Sequence, residues 1–241
     1  MPDIGTMERT EKKYLMSEDK YIALLRRAGD RLVPDKYHDS HIFSCYLDTP
    51  DHLIIRNSLD AEAYKEKLRI RSYEAPRADT KVFFELKKKY KGIVYKRRES
   101  MTFGAAETYL SNGIRPVDSQ IMREIDAAMK YSGMPQPSIS LSYRRLSFVT
   151  ADDPFFRVTF DSDLVYGLKK GTFLTGVGVS VFDNDTRLME VKCLGGMPLW
   201  FSGLLSELEI YPTGFSKCRT AYEKGILKQN LIIQKGELLY A

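Results

Sequence analysis

Apolar and polar residues alternate along many short segments of this chain, and a period of two is typical of β-strands with one buried face. Other segments carry apolar residues three or four positions apart, which predicts helices. The predicted strands cover residues 10–16, 41–47, 65–73, 81–89, 93–102, 138–149, 155–164, 165–169 and 187–194. The predicted helices cover residues 17–28, 105–110, 119–131, 198–208 and 216–229.

Short turns separate most of the predicted strands, so strands that are neighbours in sequence are expected to pair antiparallel. Tyr90-Lys91-Gly92, for example, joins two of them as a hairpin. This order predicts an α+β fold: a closed or nearly closed antiparallel β-barrel of about eight strands with helices packed outside, because closure removes exposed sheet edges. A length of 241 residues suits a single domain, residues 1–241.

Lysines and arginines recur at every second residue in at least five segments, so that each set shares one strand face. The segments are Lys67-Leu68-Arg69-Ile70-Arg71, Glu85-Leu86-Lys87-Lys88-Lys89, Tyr95-Lys96-Arg97-Arg98, Tyr143-Arg144-Arg145 and Arg157-Val158-Thr159-Phe160-Asp161. A single face of this kind is usually solvated. Five of them could converge inside a barrel, and like charges buried together need water and a bound polyanion. The pattern therefore predicts a phosphate ligand inside the fold.

Composition and simple motifs exclude some classes of function but do not identify one. Lys plus Arg (37) exceed Asp plus Glu (32) by five, an excess too small to indicate nucleic-acid binding by itself. Three cysteines without a Cys-x-x-Cys pair predict a reducing, cytoplasmic environment. No apolar run is long enough to cross a bilayer, and no signal peptide is expected. Neither standard glycine-rich nucleotide loop occurs, so side chains are expected to bind the phosphate.

Several short motifs follow one another along nearly the whole chain. They are Glu11-x-Lys13-Tyr14, Tyr46-Leu47-Asp48-Thr49-Pro50-Asp51, Leu68-Arg69-Ile70-Arg71, Phe84-Glu85-Leu86-Lys87, Tyr143-x-Arg145, Arg157-Val158-Thr159-Phe160-Asp161, Met189-Glu190-Val191-Lys192 and Phe215-Ser216-Lys217. At these residues the chain resembles the polyphosphate polymerase domain of the vacuolar transporter chaperone (VTC) complex, a member of the CYTH-like triphosphate tunnel metalloenzyme superfamily. The resemblance implies an eight-stranded tunnel that binds triphosphate groups with Mg²⁺ or Mn²⁺. It also implies synthesis of inorganic polyphosphate from the γ-phosphate of ATP.

The resemblance implies roles for the matching residues. The cations implied to bind phosphate and to act in catalysis are Lys13, Arg69, Arg71, Lys87, Arg145 and Arg157. Further phosphate-binding residues are expected to be Lys96, Arg98, Tyr143, Ser216 and Lys217, where Arg98 is included because it shares a strand face with Lys96.

Carboxylates accompany these cations. Glu190 matches a metal-binding carboxylate, and Mg²⁺ often takes only one or two protein carboxylates. A surface ion pair with Lys192 is the alternative for Glu190. Glu11, Glu85 and Asp161 lie in phase with the cations and are expected to form salt bridges or to support the site from behind.

The chain departs from related proteins at two places. Gly214 stands where the polymerase has a further lysine. On the first strand, Arg9, Glu11 and Lys13 stand where the triphosphatase branch has Glu-x-Glu-x-Lys, so a cation replaces one metal-binding carboxylate. Hydrolysis usually needs a carboxylate that orients water. The replacement therefore favours a polymerase over a triphosphatase.

We therefore expect a metal-dependent phosphotransferase, a polyphosphate polymerase whose partners are ATP and inorganic polyphosphate or tripolyphosphate. Two alternatives stay open: a tripolyphosphate or nucleoside triphosphatase that uses the same residues, and a non-catalytic module that binds polyphosphate or nucleotide. A nucleic-acid-binding module is disfavoured, because a tunnel sized for a linear phosphate chain cannot admit a duplex. No membrane segment is expected in this chain.

Overall fold

The structure is a computed structural model that describes residues 9–60, 64–91, 93–153, 155–168, 173, 178–182 and 185–228. The strands are β1 (Arg9–Ser17), β2 (Val33–Asp48), β3 (Tyr64–Ser72), β4 (Lys81–Tyr90), β5 (Ile93–Thr102), β6 (Gln136–Val149), β7 (Arg157–Gly167), β8 (Val179–Ser180) and β9 (Thr186–Leu194). The helices are α1 (Glu18–Ala28), α2 (Leu53–Asp60), α3 (Phe103–Asn112), α4 (Gln120–Tyr131), α5 (Leu199–Glu207) and α6 (Lys217–Tyr222). A 3₁₀ turn, Gly29–Arg31, follows α1, and a π-helical turn, Glu223–Leu227, follows α6.

The described strands form one nine-stranded sheet in the order β1-β9-β7-β6-β2-β3-β4-β5, with β8 beside β7. The predicted α+β class and antiparallel pairing are confirmed. The predicted closure is not confirmed, because β1 and β5 are the two ends of this order among the described strands. Alternation and short turns predict which neighbours in sequence pair, but they do not determine whether the first strand meets the last.

Most predicted elements are present, but two predictions were wrong in extent and one helix was missed. β2 begins at Val33, eight residues before the predicted start, because its first half is a largely exposed polar segment without apolar alternation. Helix α2 was not predicted. The two strands predicted at 155–164 and 165–169 are one strand, β7, although residue 169 lies outside the described residues, as does the end of the helix predicted at 216–229.

Contacts divide the chain into two compact units. Unit 1 comprises Met1–His41, Tyr143–Leu164 and Phe182–Ser216. Unit 2 comprises Ile42–Ser142, Val165–Val181 and Lys217–Ala241. The single-domain organisation stays a prediction. Among the described residues, no helix has both the length and the apolar character needed to cross a membrane.

Each unit has its own apolar core. In unit 2, Leu68 of β3 and Phe84 of β4 pack in one cluster with Met122 and Ile125 of α4. In unit 1, the buried cluster joins Tyr14 and Met16 of β1 to Leu24 of α1, Phe160 of β7 and Phe201 of α5. Because successive strand residues face opposite ways, burying these apolar side chains leaves the charged residues between them on the other face of the sheet.

Asp48, the last residue of β2, fixes the start of α2. One carboxylate oxygen accepts hydrogen bonds from the backbone nitrogens of Thr49 and Ile54, at 2.9 and 2.8 Å, and the other accepts from Ile55 N at 3.1 Å. The Ile54 and Ile55 nitrogens would otherwise lack a partner in the helix, since the first backbone N–H groups of a helix have none within it.

We expect Asp48→Ala to lower the free energy of unfolding by about 1–2 kcal/mol through loss of this cap. Urea unfolding followed by circular dichroism measures the change. Asp60→Ala is the matched control: Asp60 is an exposed carboxylate at the last residue of the same helix, where removing a negative charge is neutral or slightly stabilising. Equal destabilisation by the two variants would contradict the capping role.

Candidate functional site

In unit 2, cations stand in rows across β3, β4 and β5, on the face opposite the apolar core. The antiparallel register places Arg69 opposite Glu85 and Glu85 opposite Arg98. Two residues further along each strand, the next row is Lys67, Lys87 and Lys96. Lys67 was not among the predicted site residues, although it has the same parity as Arg69. Rows of this kind follow only from the register between strands, which the sequence does not specify.

Glu85 is the acidic centre of the first row, and its side chain is 1% exposed. Arg69 Nε donates to Oε2 at 2.7 Å, and Arg98 Nε donates to Oε1 at 2.6 Å. Lys96 Nζ lies 2.8 Å from Oε1. One negative charge therefore holds three positive side chains, so this group keeps a net positive charge. The expected salt bridges of Glu85 are confirmed.

The charge state of Glu85 follows from its neighbours. Burial by itself would raise its pKa, but the charges of Arg69 and Arg71 and the hydrogen bond from Lys96 hold the pKa well below its ordinary value. Arg71 is buried, and its Nε donates to Ser44 Oγ at 3.3 Å. Glu85 thus remains an anion across the neutral range and acts as a fixed counter-charge.

Tyrosine hydroxyls hold the two arginines of the first row from the side. Arg69 Nη1 donates to Tyr46 Oη at 3.0 Å, and Arg98 Nη2 donates to Tyr73 Oη at 3.1 Å. Burial would raise the pKa of Tyr46, but the charge of Arg69 lowers it below its usual value. Each guanidinium is therefore positioned by a carboxylate and a phenol. Tyr46 belongs to one of the family motifs and Tyr73 has the same strand parity as Arg69, but neither was among the predicted site residues.

Unit 1 contains a second charged group, built on β1, β6, β7 and β9. Arg145 of β6 makes a two-point contact with Asp161 of β7, at 2.6 and 2.7 Å, and its Nη2 donates to Glu190 Oε2 at 3.2 Å. Lys13 of β1 stands opposite Glu190 in the strand register, with Nζ 4.0 Å from Oε1. Lys13 also lies 3.7 Å from Glu11. The in-phase carboxylates thus form the expected ion pairs.

Asp161 is fully buried beside Arg145. Burial opposes the charge on Arg145, but the adjacent Asp161 carboxylate raises the pKa of Arg145 well above its ordinary value. The Arg145 guanidinium also lies 5.4 Å from the centre of the Tyr143 ring. Arg145 is therefore held rigidly, with its charge balanced more fully than that of the arginines in unit 2.

Arg157 has a partner that the sequence did not indicate. Its Nη2 lies 2.7 Å from an Asp35 oxygen and donates to Ser147 Oγ at 3.4 Å. Asp35 lies in the first half of β2, which was not predicted as a strand. Arg157 Nε is buried and has no hydrogen-bond partner among the described residues, and a buried donor without a partner costs about 1–3 kcal/mol.

The remaining predicted residues, Ser216 and Lys217, lie at the start of α6. Lys13 Nζ donates to the Phe215 carbonyl at 3.2 Å, which ties β1 to the residue before Ser216. Lys217 is the first residue of α6. The Arg9 side chain, which motivated the comparison with the triphosphatase branch, lies outside the described residues.

A site for Mg²⁺ or Mn²⁺ needs at least one carboxylate that can act as a ligand. Where the chain is described, no group of three or more His, Cys, Asp or Glu side chains is placed to hold a metal ion. Asp161 is occupied by the two-point contact with Arg145. Glu190 is held at longer distances than Asp161: its Oε2 lies 3.2 Å from Arg145 Nη2 and its Oε1 lies 4.0 Å from Lys13 Nζ. These residues fit an ion that takes one carboxylate and completes its shell with phosphate oxygens and water.

We expect Glu85→Gln to lower the free energy of unfolding by about 3 kcal/mol near neutral pH, because the clustered cations lose their counter-charge. The folded pKa of Glu85 is depressed, so its stabilising contribution is complete above the unfolded pKa of about 4.3 and is lost as pH falls toward the folded pKa. The stability difference between wild type and variant should therefore shrink below about pH 4.

Urea unfolding at several pH values measures this difference. Glu107→Gln is the control, because Glu107 is an exposed carboxylate on α3; it should leave stability unchanged at every pH. A Glu85→Gln effect that stays constant into acid would show that Glu85 acts through packing rather than charge.

Comparisons with known proteins identify a family and similar folds. The chain matches the VTC domain over residues 8–225. Among solved structures, a protein of Bacillus halodurans described as a candidate adenylate cyclase is similar in fold, with a TM-score of 0.53, 14% identity, and coverage of 86% of this chain and 92% of that one. A protein of Vibrio parahaemolyticus with the same description has a TM-score of 0.44 and 11% identity, with coverage of 88% of this chain and 96% of its own. No curated protein matches the sequence significantly. The match to the VTC domain spans most of the chain and confirms the resemblance seen in its motifs, so the chain belongs to the VTC domain family.

Proposed function

We propose that this protein is a metal-dependent polyphosphate polymerase that transfers the γ-phosphate of ATP to a growing polyphosphate chain and releases ADP. The observation that carries the proposal is the row of Lys67, Lys87 and Lys96 across β3, β4 and β5. Directly opposite side chains lie about 4.5–5.5 Å apart at Cβ, and like charges at that separation are destabilising. Lys96 of this row also pairs with Glu85 of the neighbouring row, at 2.8 Å, and a bound polyanion would supply further counter-charge to both rows.

The neighbouring row, Arg69, Glu85 and Arg98, holds its two guanidinium groups in fixed orientations. Arg69 and Arg98 are each held by Glu85 and a tyrosine hydroxyl, so their guanidinium groups are oriented before any ligand binds. Phosphoryl transfer depends mainly on alignment and on neutralising charge on the transferring oxygens. Arginine suits multi-point contact with phosphate oxygens, and lysine suits neutralisation at a point. The two adjacent rows therefore supply both arginine contacts and lysine charges.

Unit 1 supports an anionic ligand by a separate observation. Arg157 Nε is a buried donor without a partner among the described residues. A phosphate oxygen is a strong acceptor and would satisfy it. Arg157 was predicted to bind phosphate, and this orphaned donor is consistent with that role.

Glu190 is the residue that would hold Mg²⁺ or Mn²⁺, which when bound would neutralise phosphate oxygens. Around it, Lys13 and Arg145 keep positive charge near the same carboxylate. The acceptor in chain growth is the end of a phosphate chain, which is already anionic near neutral pH. Transfer to it needs no general base, and the cations only have to hold donor and acceptor together. The cytoplasmic location stays a prediction that goes with this proposal.

Purified protein incubated with ATP and Mn²⁺ is expected to form chains longer than three phosphates, together with ADP. Separation of the products on a gel, with the γ-phosphate radiolabelled, measures this. Label that appears only in orthophosphate would reject the polymerase and support a triphosphatase. Tight, salt-sensitive binding of tripolyphosphate without any turnover would support a non-catalytic binding module.

Lys87→Gln is expected to lower kcat/KM for ATP by roughly 100-fold, the scale seen when one fixed group that stabilises transition-state charge is removed. Lys88→Gln is the matched control: Lys88 is the next residue on the same strand, faces the other way and pairs with Glu66 at 3.6 Å. The control should keep wild-type kinetics. Similar losses in both variants would mean that net charge, not the cationic row, determines activity.

A further inference from the structure

The cationic face of β3 and β4 continues beyond the row of Lys67 and Lys87, toward the end of the β4–β5 hairpin. Lys65 stands opposite Lys89 in the register, and Val94 of β5 stands on the other side of Lys89. Both lysines are two residues from the previous row, so they share its face. We call Lys65 and Lys89 the distal pair.

Lysines on the two faces of this hairpin have different neighbours. On the opposite face, Lys88 pairs with Glu66 at 3.6 Å, and Tyr64 also donates to Glu66. In the parts of the chain that the structure describes, neither lysine of the distal pair has a carboxylate within ion-pair distance. Two lysines directly opposite each other in the register repel one another. This arrangement fits a surface that is completed by an anion.

The distance between successive cationic rows along the strands indicates what kind of anion would bind. Rows two residues apart are separated by about 6.6–6.8 Å, so the distal pair lies about 13 Å from the row of Arg69 and Glu85. A P–O–P link is shorter than one row spacing, so each further row lengthens the bound chain by more than one phosphate. A triphosphate held at the Arg69 and Lys87 rows ends before the distal pair, whereas a longer linear chain reaches it.

We propose that Lys65 and Lys89 form a distal phosphate subsite that contacts linear polyphosphate but not triphosphate. This inference rests on the proposed function and adds a substrate preference to it. The subsite gives longer chains extra contacts and so favours their retention over release. Val94, the apolar third member of the row, adds no charge, which limits the added affinity to two cationic contacts.

The test is a double variant, Lys65→Gln/Lys89→Gln, titrated with tripolyphosphate and, separately, with long-chain polyphosphate at fixed ionic strength. Affinity for the long chain should fall roughly fivefold to tenfold, while affinity for tripolyphosphate stays unchanged. The salt dependence of long-chain binding should also weaken, because two fewer counterions are released, so the slope of log K against log salt changes by roughly one to two.

The matched control is Lys88→Gln/Arg97→Gln, which removes the same charge from the opposite face, where Lys88 pairs with Glu66 and Arg97 with Glu124. This control should bind both ligands as the wild type does. Equal loss of both ligands in the Lys65→Gln/Lys89→Gln variant, or unchanged long-chain binding, would overturn the distal subsite and leave the proposed function standing. Wild-type protein that binds neither ligand would overturn the proposed function and the subsite together.

Discussion

Closely spaced positive charge is the constraint on which the rest of this structure depends. On the face of β3, β4 and β5, the buried Glu85 carboxylate holds Arg69, Lys96 and Arg98. A domain has a stability margin of only about 5–15 kcal/mol, so a cluster of cations this dense can exist only with a fixed counter-charge. Glu85 provides this counter-charge, and its side chain is only 1% exposed, so it is shielded from solvent.

Unit 1 also pairs cations with buried carboxylates, but the ratio of negative to positive side chains is different. There Arg145 is shared between Asp161 and Glu190, so carboxylates outnumber the guanidinium they surround. In unit 2, one carboxylate serves several cations. The first arrangement fixes geometry, whereas the second leaves a net positive charge on the group around Glu85. The proposed function would use the first to hold a divalent ion and the second to bind phosphate.

Much of the fold follows from local sequence. The period of two in segments such as 65–73 and 81–89 places apolar side chains on one face and cations on the other, and both strands lie close to their predicted positions. The prediction failed where local pattern is weak. The first half of β2 is polar and exposed, and α2 begins at backbone groups that Asp48 caps from the end of a strand. The predicted sheet closure was not confirmed, because closure depends on pairing between strands far apart in the chain.

The sequence by itself determined which residues share a strand face, since the alternation of side chains is a property of any extended backbone. It therefore placed Arg69 with Arg71 and Lys96 with Arg98. Only the tertiary structure decided which cations stand in one row and which acid each one meets. The row of Lys67, Lys87 and Lys96 and the pairing of Arg157 with Asp35 depend on the register between strands. That register is set by how whole apolar faces pack, which no single segment encodes.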